Sequence, residues 1–164
     1  DARFAARTLR TMQEGFAREG SIYVSTSRRT PAEAADAVAA LLRPQDRLYR
    51  WAAQDAAQNP YLALLGHGDS FTVTSDSLSM LTEVARLGRP LVIAEPPLKQ
   101  SPLRRLAGLF GLGPMRDLGE AASYLVRGGH AARLGDGLPA PVPPPPDDTG
   151  PVAARLRQIA LGTD

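Results

Sequence analysis

Segments with helical spacing alternate with short runs of strand-forming residues along most of this chain, and that order limits the folds it can adopt. Between Asn59 and Pro97 the sequence predicts a helix, a strand, a polar turn, a second helix and a second strand. Strands that alternate with helices are typical of a parallel sheet covered by helices on both faces. We therefore expect an α/β fold, in which ligands bind outside the carboxyl ends of the strands.

Apolar spacing and end signals define the predicted elements. A first helix over 3–18 would end at Gly20. The second would begin after Thr30, with Thr30 as the capping residue and Glu33 completing a capping box. We expect strands at 21–26, 47–51, 71–74 and 90–94, and further helices at 60–65, 77–87, 101–110, 118–126 and 151–161.

The order of these elements also predicts a domain organisation. We expect one α/β domain over 1–134, a proline-rich linker over 135–150 that is extended and carries no core, and a C-terminal helix over 151–164 that docks back on the domain. The chain begins at Asp1 and enters a helix at once. A parallel-sheet domain normally opens with a strand, so we expect its first strand to be missing from this chain.

Composition excludes several classes of site. The chain has 164 residues, 43% of them hydrophobic, and a net charge of +2 without a basic stripe, which argues against nucleic-acid binding. Without cysteine there is no disulfide, thiolate nucleophile or cysteine metal site, and the two histidines lie far apart, so we expect no metal. No apolar run is long enough to span a membrane and no secretory signal is present, so we expect a cytoplasmic protein.

The turn before the predicted helix at 77–87 carries an unusual number of hydroxyl groups. Ser75, Asp76, Ser77 and Ser79 crowd its start. Free N–H groups and hydroxyls at a helix N-terminus bind phosphate, which predicts a nucleotide or nucleotide-sugar site. Simple capping of the helix by Ser75 or Asp76 is the alternative. Because its carboxylate repels phosphate, Asp76 would cap the helix or contact a sugar hydroxyl.

Glu83 lies four residues after Ser79 on the same helical face. Its carboxylate can accept hydrogen bonds from ribose hydroxyls. Pairing with Arg86 on the solvated side of the helix is the alternative, and the local sequence does not separate the two.

A second polar turn follows the predicted strand at 21–26. Guanidinium groups match phosphate geometry, so Ser27, Arg28 and Arg29 predict a second anion contact facing the first. A solvated turn is the alternative. Trp51, the single tryptophan, follows the next strand, and either packs at the rim of the core or stacks on a base.

Several of these segments resemble the mitochondrial fission ELM1-like family, over roughly residues 1 to 126. The resemblance is carried by VSTSRRTP, YRW, NPYLALLGHGDSFTVTSDSLSM and EVARLGRPLVI, with SRRTP and TSDSLSM its specific parts. Bacterial members of that family are treated as glycosyltransferase-like and have also been labelled nucleoside-diphosphate-sugar epimerases. The family looks like the GT-B class, in which two Rossmann-like domains flank a cleft. The resemblance therefore implies a Rossmann-like three-layer α/β/α parallel sheet, similar to the C-terminal half of a GT-B fold.

The resemblance also implies roles for particular residues. In GT-B enzymes the helix after the hydroxyl-rich turn binds diphosphate and its glutamate holds the ribose, which corresponds here to Ser75, Ser77, Ser79 and Glu83. The turn at 27–29 corresponds to a further phosphate contact. The class needs no bound metal, and the nucleotide sugar is a substrate, so no resident cofactor is implied. The general base usually comes from the N-terminal domain, which this chain does not include.

The resemblance thus implies the donor-binding domain of a GT-B-like glycosyltransferase, inactive by itself. Two alternatives stay open at this point. Plant relatives are linked to mitochondrial division through a partner protein, so the same fold could serve as a non-enzymatic adaptor. An epimerase-like enzyme would instead hold a nicotinamide cofactor, although the chain lacks a GxGxxG loop.

Overall fold

The computed structural model describes residues 1–97, 118–145 and 149–161. The helix predicted over 101–110 lies outside these ranges. The described helices are α1 (Ala2–Glu14), α2 (Ala32–Ala39), α3 (Tyr61–His67), α4 (Leu78–Ala85), α5 (Leu118–Arg127) and α6 (Thr149–Leu161), with a 3₁₀ helix over Ala53–Gln58. The strands are β1 (Tyr23–Ser25), β2 (Arg47–Tyr49), β3 (Phe71–Thr74), β4 (Leu91–Ala94) and β5 (Ala132–Arg133).

All strand pairs in the described residues are parallel, which confirms a Rossmann-like α/β fold. β1 pairs with β2, and a separate sheet has the order β3-β4-β5. In the described residues no ladder hydrogen bonds join these two sheets. β5 was not predicted. It is two residues long and lacks the apolar run that identifies a buried strand.

α1 packs against α2 and, with β1 and β2, forms the first hydrophobic cluster. Asp1 caps α1 by accepting a hydrogen bond from the Phe4 N–H at 2.8 Å. Leu9, Ile22 and Val38 form the buried centre of the cluster. α1 ends at Glu14, earlier than Gly20, because the chain turns where the Ala17 N–H donates to the Met12 carbonyl at 2.9 Å.

A buried carboxylate joins the loops around this first cluster. The side chain of Asp46 is 0% exposed and pairs with the Arg43 guanidinium at 2.9 Å. Asp46 also accepts hydrogen bonds from the N–H groups of Ile22 and Arg43 and from Gln13 Nε2. Arg43 in turn donates to the carbonyls of Arg18 and Gly20. These bonds fix the chain before β1 to the chain before β2.

The second hydrophobic cluster surrounds β4. All four residues of β4 are buried, with α4 and α5 contributing Leu81, Val84 and Leu125 to the same cluster. A strand buried on both faces is typical of a parallel sheet with helices on each side.

The turn between α4 and β4 depends on Gly88 and Arg89. Gly88 has φ +65°, a conformation that side chains other than glycine rarely adopt. A methyl group there would also lie 3.2 Å from the Val142 carbonyl oxygen. The proline-rich segment therefore passes directly over this turn. Arg89 donates to the carbonyls of Leu65, Gly66 and Gly68 and so caps the end of α3.

The capping box predicted for α2 is wrong. The helix begins at Ala32 with Pro31 at its cap position and has no side-chain cap. Thr30 Oγ1 instead accepts a hydrogen bond from the Ser27 N–H at 3.0 Å. The hydroxyl is used by the preceding turn and is not available to the helix.

α6 forms where a C-terminal helix was predicted, but the predicted docking is not observed. Every residue over 150–160 is exposed. Val152, Leu156 and Ile159 share one stripe of the helix and are 54%, 61% and 61% exposed. Within the described ranges, no helix is long and apolar enough to cross a membrane.

Candidate functional site

The hydroxyl-rich turn lies at the carboxyl edge of the larger sheet. β3 ends at Thr74, and the Ser75 N–H continues the ladder by donating to the Ala94 carbonyl at 3.0 Å. The Ser77 N–H closes the turn on the Thr74 carbonyl at 3.2 Å. α4 then begins at Leu78. This is the edge at which ligands bind in parallel sheets.

The start of α4 has no side-chain cap. Ser77 occupies the cap position, yet its hydroxyl makes no hydrogen bond to the N–H groups of the first turn. In the described residues no hydrogen bond engages the side chains of Ser75, Asp76 or Ser79. The capping alternative therefore does not explain this cluster of polar groups. The first-turn N–H groups and the hydroxyls are available to an incoming anion.

Glu83 is on α4 and is held from the neighbouring helix. The Tyr61 hydroxyl, at the start of α3, donates to Glu83 Oε2 at 2.6 Å. Burial and the Glu83 carboxylate raise the pKa of Tyr61, so this hydroxyl keeps its proton and remains a donor. Arg86 was the partner considered from the sequence, and the contact with Tyr61 was not predicted. Because Tyr61 lies 22 positions from Glu83, no local sequence pattern indicates this contact.

The second turn is ordered by its own hydrogen bonds. The Ser27 N–H donates to Thr30 Oγ1 at 3.0 Å, and Ser27 Oγ accepts from the Arg29 N–H at 3.2 Å. Both arginine side chains, Arg28 and Arg29, are exposed. The hydroxyl groups thus stabilise the backbone of the turn and the guanidinium groups extend into solvent.

Trp51 joins this second turn. β1 and β2 are parallel neighbours, so the residues that follow them meet at one edge. The Trp51 N–H donates to Thr26 Oγ1 at 2.8 Å. An open groove of about 380 Å³ results, lined by Ser27, Arg28, Arg29 and Trp51.

The predicted site residues thus form two groups. Ser27, Arg28 and Arg29 line the groove beside Trp51, and none of residues 75–83 lines it. Ser75, Asp76, Ser77, Ser79 and Glu83 belong to the β3–α4 turn and to α4 itself. Each group lies at the carboxyl edge of a parallel pair of strands, as the alternation predicted.

An ion pair that was not predicted from the sequence lies at the edge of the larger sheet. Arg133, the last residue of β5, donates to Glu95, which directly follows β4. Adjacent strands are about 4.8 Å apart, so Arg133 lies about 10 Å along the edge from the end of β3. Among the described residues, no group of three or more histidines and carboxylates is arranged to hold a metal.

Comparison with known proteins agrees with the resemblance in the sequence. The family described as Mitochondrial fission ELM1 matches residues 1–158. The mitochondrial fission protein ELM1 of Arabidopsis thaliana is 28% identical over 146 residues, which covers 85% of this chain but 29% of the relative. No solved structure matches. Because this one family model matches residues 1–158 of a chain of 164, the chain belongs to the mitochondrial fission ELM1 family.

Proposed function

We propose that this chain is the nucleotide-sugar (donor) binding domain of a GT-B-like glycosyltransferase, whose N-terminal domain lies elsewhere in the same protein. One observation supports this most. The α4 N-terminus at the carboxyl edge of β3 and β4 has no side-chain cap, although hydroxyl groups surround it. A site that needed only a stable helix would use one of those groups as a cap.

The donor nucleotide would use this turn and α4 together. The first-turn N–H groups and the hydroxyls of Ser75, Ser77 and Ser79 bind the diphosphate, where the helix dipole adds about 0.3–1 kcal/mol. Asp76, whose charge repels phosphate, contacts a hydroxyl of the sugar. Glu83, held by Tyr61, accepts hydrogen bonds from the ribose.

The contribution of the chain to catalysis would be stabilisation of the leaving group. Direct displacement at the anomeric carbon releases a nucleoside diphosphate. The fixed N–H groups of α4 and the guanidinium group of Arg28 or Arg29 would offset its growing negative charge. We assign no general base to this chain, so it binds the donor without turning it over. The proposal needs no resident cofactor, and we place the reaction in the cytoplasm, where a cysteine-free protein is unexceptional.

Calorimetric titration of the folded chain with UDP, GDP and ADP tests the proposal. Ser77→Ala removes one hydrogen bond of about 1 kcal/mol and should weaken binding roughly fivefold. Glu83→Ala removes hydrogen bonds to a charged group, which contribute about 1.5–3 kcal/mol. Nucleotide binding should therefore weaken roughly 10- to 150-fold.

The matched control is Thr82→Ala, next to Glu83 on α4. The Thr82 hydroxyl is committed to the Leu78 carbonyl at 2.9 Å, so its loss should leave nucleotide binding unchanged. Circular dichroism establishes that each variant is folded. Flat titrations of the folded wild-type chain with all three nucleotides would rule the proposal out.

A second candidate is a non-enzymatic interaction module. The observation that favours it is the exposed apolar stripe of α6, formed by Val152, Leu156 and Ile159. A folded chain that binds no nucleotide, and loses a bound protein partner on Leu156→Asp, would support this function.

A further inference from the structure

The proline-rich segment after β5 is conformationally restricted by its covalent structure. Every residue over 138–145 either is a proline or directly precedes one. A proline ring fixes φ at about −65°, and the residue before a proline is confined to extended backbone. The segment forms neither a helix nor a strand over 137–145. These restrictions favour the polyproline II conformation, which has about three residues per turn and no internal hydrogen bonds.

The exposure of the side chains follows the period of three that this conformation predicts. The partly buried residues recur at every third position: Pro139, Val142 and Pro145. The two residues between each of these positions are exposed. The segment passes over the turn after α4, where the Val142 carbonyl oxygen lies 3.2 Å from the place of a methyl group on Gly88. One row of the segment therefore lies on the domain, and two rows face solvent.

The exposed rows are apolar as well. They consist of two pairs, Ala140-Pro141 and Pro143-Pro144, separated by the partly buried Val142. A spacer that only packed against the domain would need apolar residues in the buried row alone. Contiguous apolar residues exposed to solvent are typical of a surface that binds another protein. The two exposed prolines Pro141 and Pro144 also have the PxxP spacing.

We propose that residues 139–145 are a recognition surface for a protein module of the SH3 type, whose groove is lined by aromatic side chains. Such grooves bind PxxP segments in the polyproline II conformation. The pair at 140–141 occupies one pocket of the groove and the pair at 143–144 the next, while Val142 stays on the domain. Because the conformation is set before binding, little conformational entropy is lost when the partner docks.

Titration of the folded chain with an array of purified SH3 domains tests the proposal, with calorimetry on each domain that binds. Pro141→Ala and Pro144→Ala remove the exposed prolines and should each weaken binding about tenfold. Pro139→Ala is the matched control, because it makes the same change in the partly buried row. It should leave the affinity nearly unchanged. Circular dichroism establishes that each variant is folded.

The amide signal of Gly88 in an NMR spectrum reports whether the segment stays on the domain. Gly88 lies beside Val142, so its signal should keep its position when the partner binds. A large shift of that signal on binding would mean that the segment leaves the domain, and would overturn recognition of the docked segment.

Two further results would overturn the proposal. One is the absence of binding to every SH3 domain of the array, whether or not WW domains bind. The other is an equal loss of affinity in Pro139→Ala and Pro141→Ala, which would show that the exposed rows do not make the contact. The inference is independent of the proposed function, because the turn at Gly88 precedes β4 and so lies at the amino end of that strand, opposite the carboxyl edge.

Discussion

Asp46 provides the sharpest test of how the first hydrophobic cluster is stabilised. Its fully buried carboxylate accepts hydrogen bonds from Arg43 Nε and Nη2 and from the N–H groups of Ile22 and Arg43. Replacing one partner of such a buried pair leaves the other charge uncompensated and typically costs about 3–5 kcal/mol. Asp46→Asn keeps the shape but turns an NH₂ group toward these donors, so we expect a loss of about 3 kcal/mol. That is a large part of an ordinary domain's stability.

The assay is urea unfolding followed by Trp51 fluorescence, which reports on the part of the chain that contains Asp46. Asp36→Asn is the matched control. Asp36 also pairs with an arginine, but its side chain is 66% exposed and that of Arg50 is 48% exposed. Exposed pairs contribute about 0–1 kcal/mol. If Asp46→Asn costs no more than Asp36→Asn, the reasoning from burial and hydrogen bonding is wrong.

The same carboxylate predicts a pH dependence. The Arg43 hydrogen bond, opposed by burial, holds the pKa of Asp46 well below its usual range. A carboxylate whose pKa is depressed by folding contributes its full stabilisation above the unfolded pKa of about 3.9 and loses it as the pH falls below that value. The free energy of unfolding should therefore fall below about pH 4 more steeply in the wild type than in Asp46→Asn. If the free energy of unfolding fell with pH in the same way in both proteins, the lowered pKa of Asp46 would be contradicted.

Three further changes test the second cluster and the site. Gly88→Ala should lower the free energy of unfolding in urea by about 1–2 kcal/mol, because φ is +65° and the Val142 carbonyl is close. Gly66→Ala, which has open space around it, should not lower that free energy. Arg89→Ala should lower the stability of the fold by about 1 kcal/mol, because the carbonyls at the end of α3 lose their donor. Circular dichroism should then show a lower helical signal on heating. Glu83→Gln should lower the pKa of Tyr61 toward its ordinary value of about 10, measured by ultraviolet absorbance during alkaline titration; an unchanged titration would mean that the hydrogen bond is absent in solution.

The sequence predicted most of the fold because the signals involved are local. Helical spacing predicted α1 and α4, and Gly88 ends the turn after α4 as expected. Alternation of helices and strands was enough to predict parallel pairing. Parallel pairing in turn predicted that the polar turns lie at the carboxyl edges of the strands.

The parts that were missed depend on contacts between distant segments. Asp46 has no special sequence context, and its role appears only when Ile22 and Gln13 meet it. Thr30 was a strong capping candidate, but a competing local bond to Ser27 engages its hydroxyl. Tyr61 reaches Glu83 through the packing of α3 near α4, which no periodicity encodes.

The two hydrophobic clusters have a thermodynamic consequence. They share no residue: one extends from Leu9 to Val38 with its surrounding side chains, and the other from Val73 to Ala131. Local stability can differ between such units, and a ligand adds stability only to the conformations that bind it. A nucleotide bound in the Trp51 groove should slow amide exchange first in β1 and β2, whereas one bound only at the start of α4 should protect β3 and β4. Hydrogen-exchange mapping would thus locate the ligand on the chain without a structure of the complex.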